Sequence, residues 1–153
     1  MSKGWIGVDL DGTLAFYDEW RGPLHIGEPI PRMLERVKRW VAEGKDVRIF
    51  TARVDRQAIA LTAGADGRSV VSSELTAVEE SIRQWCEKHI GCALPITCCK
   101  DYDMVELWDD RCIQVIPNTG RTITDELESE RMALSGKAVS RETIEWKPGG
   151  ETE

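Results

Sequence analysis

Five short apolar runs punctuate this chain at intervals that leave room for helices between most of them: GWIGVDL (residues 4–10), DVRIF (46–50), LPITCC (94–99), MVELWD (104–109) and CIQVI (112–116). Each has the length of a buried strand. Pro31 suits the first turn of a helix, Met33, Leu34, Val37 and Val41 form one apolar stripe with Trp40 beside it, and Gly44 is a natural stop. A second helical stretch starts after Arg53 and runs to about Ala63. Leu75, Val78, Ile82, Trp85 and Ile90 mark a third over 75–90, and a last covers 123–134. Residues 64–73 are polar and glycine-containing and read as a loop. Strands alternating with helices predict a three-layer, Rossmann-like α/β/α fold with a mostly parallel, five-stranded sheet. Residues 1–134 then form one domain with a flap at 14–30, and the polar stretch 135–153 is a loosely held tail.

Composition narrows the partners. The chain has 153 residues, with 20 Lys+Arg against 27 Asp+Glu and a net charge of −7. That balance argues against a generic grip on nucleic acid, which needs a basic surface, but leaves room for an enzyme that touches one nucleic-acid end. No apolar run approaches the roughly 20 residues needed to span a bilayer, so no membrane partner is expected. The apolar run after Lys3 is interrupted by Asp9, unlike a secretory leader, and the expected location is cytoplasmic. Five cysteines without a C-x-x-C pair fit reduced, mostly buried thiols rather than a disulfide framework or zinc ribbon.

In a parallel sheet the ligand site lies beyond the carboxyl ends of the strands. Here those ends read Asp9-Leu10-Asp11-Gly12-Thr13, Thr51-Ala52-Arg53, Lys100 and Asp109-Asp110-Arg111. Asp9 and Asp11 face the same side of an extended chain. Carboxylates about 4 Å apart repel by about 4 kcal/mol per pair in a surface-like dielectric, so the cluster needs a cation or a proton. An all-oxygen ligand set from Asp9, Asp11, Asp109 and Asp110 suggests Mg²⁺. Lys100 adds fixed positive charge, and the Thr51 hydroxyl with the turn residues Gly12, Thr13 and Ala52 supplies donors. Together they describe phosphoryl transfer. Asp9 can attack phosphorus, Asp11 can move protons to the leaving oxygen and from water, and Gly12 permits the sharp turn.

These motifs, in this order, resemble the haloacid dehalogenase-like hydrolase superfamily: DLDGT after an apolar strand, a Thr after the second strand, a downstream Lys, and an apolar strand ending in DD. The likeness covers residues 4 to about 117. It implies Asp9 as nucleophile, Asp11 as general acid/base, and Thr51 and Lys100 as phosphoryl-holding groups. It also implies Mg²⁺ held by Asp9, by the main-chain carbonyl of Asp11, and by Asp109 with Asp110, Asp109 being favoured for direct contact. The strand order is likewise an implication of the resemblance. Residues 14–30 are too few for an inserted cap domain and 54–93 are filled by helices, so the chain looks like a small capless phosphatase of phages and bacteria. An open site suits a bulky substrate or a macromolecular end, or is covered by a neighbouring subunit in a homo-oligomer.

The leading expectation is a Mg²⁺-dependent phosphatase. Nucleotides, nucleic-acid 3′ ends and small sugar phosphates are the alternative substrates. A phosphate-accepting receiver domain is a competing class, but a receiver places its Lys last, whereas here DD follows the Lys; a silent binding module would have no use for repelling carboxylates. Arg53 either binds a substrate anion or is a surface helix residue. Arg111 pairs with nearby acids. Tyr17 and Trp20 either stack on a ring or pin the flap, and His25 sits in the same flap. His89 suits a helix end. Trp5, Trp40 and Trp85 belong to the core. Cys98 and Cys99, in a strand, point to opposite faces.

Overall fold

The computed structural model describes residues 4–63 and 67–134. The chain divides into two compact units, one ending at Cys112 and the other starting at Ile113. The first contains β1 (Trp5–Asp9), α1 (Pro31–Ala42), β2 (Asp46–Phe50), a 3₁₀ turn (Ala52–Val54), α2 (Arg56–Ala63), α3 (Gly67–His89), β3 (Ile96–Thr97) and β4 (Met104–Trp108). All strand pairs are parallel, in the order β3-β2-β1-β4. The protein is therefore a mixed α/β, Rossmann-like chain built on four strands.

β1 occupies an inner position, and its Trp5, Ile6 and Val8 are buried with Val47 and Ile49 of β2. A strand flanked by parallel neighbours is covered on both faces, which is why GWIGV is apolar without alternation. α1 begins with Pro31 at its first turn and no side-chain cap. Met33, Val37 and Trp40 face inward at helical spacing, and Gly44, at φ +71°, ends the helix in a conformation that favours glycine. α3 buries Leu75, Val78, Ile82, Trp85 and Cys86. Burial of one such aliphatic side chain contributes about 1.5–3 kcal/mol.

Three expectations about the elements change. α3 begins at Gly67, so residues 67–73 are helix rather than loop; residues 64–66 and the tail from 135 lie outside the described residues. A glycine costs a helix only about 1 kcal/mol and no proline interrupts this stretch, so the helix anchored by its apolar 75–90 face propagates backward. β3 spans two residues, not six. Pro95 has no N–H to donate. Beyond it, the Thr97 hydroxyl donates to Cys99 O and accepts from Cys99 N, both at 3.1 Å, bending the chain out of the sheet.

The fifth run, 112–116, is no strand of this sheet. In the second unit Val115 forms an antiparallel bridge with Thr122, Ile116 N donates to Arg121 O (2.8 Å) and Ile123 N to Gln114 O (3.2 Å). The chain thus folds back on itself through Asn118 (φ +64°) and Gly120 (φ +71°). α4 (Ile123–Leu134) follows. Thr122 Oγ1 accepts from Asp125 N (3.1 Å) while Thr122 N donates to Asp125 Oδ2 (2.7 Å), a reciprocal cap that starts the helix where the sequence predicts. Among the described residues no helix is long and apolar enough to cross a membrane.

The flap is tied down at both ends. Phe16 N donates to Glu28 O (2.8 Å) and Ile30 N to Leu14 O (2.8 Å), and Ala15 bridges both Asp11 and Pro29. Trp85 Nε1 donates to Gly27 O (2.9 Å), joining the flap to α3. A Cβ on Gly27 would lie 2.0 Å from Phe16 O, so only glycine allows this neck to close.

Candidate active site at the carboxyl edge of the sheet

Register brings the motifs together. Asp9 is level with Phe50 and Val8 with Trp108, so β1, β2 and β4 end side by side. The residues that follow, Thr51 to Arg53 and Asp109 to Arg111, line a cavity of about 400 Å³ with Asp9 and Asp11; Tyr17 and Trp20 of the flap and Phe50 complete its wall.

Asp9, Asp109 and Asp110 each offer a carboxylate oxygen within 4.8 Å of the others. Burial, then the charge of Asp109, and more weakly those of Asp110 and Asp11, push the Asp9 carboxyl up to about 7; a hydrogen bond with Thr13 opposes this. Among the described residues no cation pairs with Asp9 or Asp109, and the Asp110 contact with Arg111 is long, at 4.0 Å. Three converging oxygens without a close counter-charge form a donor set able to hold a hard divalent cation.

The loops that carry these carboxylates are stitched to one another. Asp110 N donates to Thr13 Oγ1 (3.0 Å), linking the fourth motif to the first. Arg111 N donates to Asp109 Oδ1 (2.7 Å). Gly12 sits at φ +95°, and a Cβ there would lie 2.9 Å from Asp110 Oδ2. Glycine is therefore favoured for its backbone conformation, and a Cβ here would push the Asp110 carboxylate aside. Its own N–H donates to Ala15 O (2.9 Å), so this amide is committed to the turn rather than to a ligand.

Asp11 is held differently. Arg53 Nε donates to Asp11 Oδ2 (2.6 Å) and Nη2 to Asp11 Oδ1 (2.7 Å), a two-pronged pair, while Nη1 donates to Pro23 O of the flap (2.7 Å). The Arg53 side chain is only 5% exposed. It is not a surface helix residue, which corrects one of the two sequence readings; it lines the cavity while paired with Asp11. Thr51 is buried and its Oγ1 accepts from Arg53 N (3.3 Å), so it caps the 3₁₀ turn that delivers Arg53.

Lys100 is not among the residues lining this cavity. It is exposed and lies against a separate depression beside β4 with Asp101 and Tyr102. Arg111 lines the cavity with its side chain 77% exposed, rather than pairing tightly with the acids. His25 is exposed and does not line the cavity; the His89 ring packs against Trp85 at 4.7 Å. Cys98 and Cys99 follow β3 instead of lying in it, and their sulfurs approach to 3.8 Å, so the expected opposite orientation does not hold. Phe50 was legible only as a strand residue; its place in the cavity follows from its register with Asp9.

No family model matches this chain, and no curated protein matches it. Among solved structures, a conserved protein coded by a locus of Bacteroides thetaiotaomicron is similar, with 22% identity and a TM-score of 0.44 over 86% of this chain and 94% of that one.

Proposed function

We propose that this chain is a haloacid dehalogenase-like, Mg²⁺-dependent phosphatase that hydrolyses a phosphomonoester through an aspartyl-phosphate on Asp9. The observation that carries the reading is the convergence of Asp9, Asp109 and Asp110 on one point of a cavity whose fourth carboxylate, Asp11, has its own arginine. Asp9, Asp109 and Asp110 are the residues that would hold the cation. When bound, Mg²⁺ supplies the positive charge that keeps Asp9 ionised and offsets the charge of a phosphate.

Asp9 attacks phosphorus, forming the P–O bond to its carboxylate as the ester oxygen leaves. Asp11 enters the cycle carrying a proton, gives it to that oxygen, and regains one from the water that cleaves the acyl-phosphate. The two Arg53 N–H groups orient the Asp11 carboxylate, and each of its oxygens keeps a second lone pair for that proton. Thr13 steadies Asp9 through its hydrogen bond. The cationic side chain open to the incoming phosphate is Arg111 rather than Lys100.

The test is hydrolysis of an aryl phosphate with and without Mg²⁺, by wild type and Asp9→Asn. Metal-dependent turnover that falls at least about 10³-fold in the variant, a loss of about 4 kcal/mol of transition-state stabilisation, is the expected result. Equal turnover by the variant, or a folded wild type with neither turnover nor a Mg²⁺-dependent beryllofluoride complex, overturns the proposal.

A further inference from the structure

We infer that the phosphomonoester taken by this cavity carries a planar aromatic ring, and that Trp20 receives it; for the phosphate end alone, the inference rests on the phosphatase reading. Among the described residues the other tryptophans pack in or against the core, Trp108 only partly buried. Trp5, Trp40 and Trp85 are 1%, 6% and 8% exposed, whereas Trp20 is 59% exposed on the wall of the cavity. A tryptophan whose role is to pin a loop buries its ring; this one leaves most of it open beside the carboxylates.

The open ring is also fixed. The Arg53 guanidinium lies 5.1 Å from its centroid. Arg53 cannot drift, because Asp11 and Pro23 O hold all three of its nitrogens. The flap that carries Trp20 is anchored at its neck and to α3 through Gly27 O and through Leu24 O, which accepts from Ser81 Oγ (3.0 Å). Trp20 is thus a preset stacking platform, and a ligand ring that meets it is spared the cost of ordering a loop. Tyr17 and Phe50 line the same cavity and give the ring further aromatic wall. The cavity has one strongly acidic end and one aromatic side, and its volume of about 400 Å³ is within the range of small-molecule sites. A sugar phosphate would use the first feature and leave the second wet. A nucleoside monophosphate and an aryl phosphate share the chemistry that uses both.

The experiment compares adenosine 5′-monophosphate, phenyl phosphate and ribose 5-phosphate, with Mg²⁺ present. Affinities are measured by calorimetry on Asp9→Asn and Asp9→Asn/Trp20→Ala, and kcat/KM on wild type, Trp20→Ala and Trp20→Phe. Base–aromatic stacking predicts that Trp20→Ala lowers the preference for a ring-bearing ligand over ribose 5-phosphate by about 5- to 160-fold and that Trp20→Phe restores most of it. Loss confined to phenyl phosphate places the ring directly on the phosphate; loss on adenosine 5′-monophosphate places it beyond a sugar. Either supports the inference. Equal loss on all three ligands, or none, overturns it. Turnover with no ring preference defeats this inference and leaves the phosphatase reading standing. A ring preference in the calorimetry with no turnover by wild type does the reverse.

Discussion

Asp9 and Asp11 stand two residues apart and carry the same chemical group, yet the fold surrounds them with opposite charge. Asp11 receives both prongs of a nearly buried arginine. Asp9 faces Asp109 and Asp110 with no cation of its own among the described residues, and its carboxyl is pushed up to about 7. A chain that can supply a buried guanidinium to one carboxylate and withholds it from the next has separated two tasks. One group is oriented by the protein in advance, and the other three have no close cationic partner among the described residues; on the proposed reading a divalent cation supplies that charge.

The largest effect should come from breaking the satisfied side. Arg53→Ala leaves Asp11 facing its neighbours without a partner, and a loss of about 2–4 kcal/mol in denaturant-measured stability is expected, with Arg53→Lys recovering only part because one ammonium cannot reproduce the fork. Stability unchanged in Arg53→Ala would mean that the pair contributes nothing to the fold.

Next comes the turn that lets the two sides meet. Gly12→Ala should cost about 1–3 kcal/mol from the left-handed backbone alone and, by displacing Asp110, should weaken Mg²⁺ binding measured by calorimetry. Intact Mg²⁺ affinity in a destabilised Gly12→Ala protein would separate the turn from the site.

The unsatisfied side should show itself in pH. Without divalent cations the native state holds the Asp9 proton up to about pH 7, whereas the unfolded chain releases it near 3.8. Between those values the native state binds more protons, so stability present at low pH is lost as pH rises through 7. Because the group is partly solvated, a fall of about 1–2 kcal/mol is expected instead of the full linkage value. Asp9→Asn should flatten this change, and so should millimolar Mg²⁺. A profile in Asp9→Asn as steep as that of wild type would assign the slope to other groups.

The smallest effect is the control. Arg83 pairs with Glu80 and Glu87 on the exposed face of α3. Arg83→Ala should leave the melting temperature and any turnover indistinguishable from wild type, because exposed pairs gain little over hydration.

Much of this contrast is visible in the residues and some of it is not. The first motif could be read because an apolar run ending in DLDGT is a strand followed by a turn, and that is where Trp5 to Gly12 stand. Asp109 and Asp110 could be read because a parallel sheet collects its strand ends. Arg53 could be placed at the same edge, but its pairing with Asp11 could not be read, because the partner is 42 positions away and spacing says nothing about which acid a long side chain will reach. Lys100 was placed by motif order, yet the Thr97 hydroxyl turns the chain before it and Lys100 stands outside the cavity. The run at 112–116 misled for a related reason: an apolar stretch shows that it needs a neighbour but not which one, and here the neighbour is the chain a few residues on.

The neck of the flap has a consequence for how such a chain diversifies. Phe16 with Glu28, and Leu14 with Ile30, fasten the two ends of the loop to each other before the rest of it begins. The segment between them behaves as a cassette: its length and side chains can be exchanged while the ends keep their places, provided a backbone carbonyl still accepts from Arg53 where Pro23 O now does, so that Arg53 keeps Asp11 in position. Loop grafting between residues 17 and 26 is therefore the natural engineering route to a new preference at this cavity. Gly27 marks the border that a graft must leave alone.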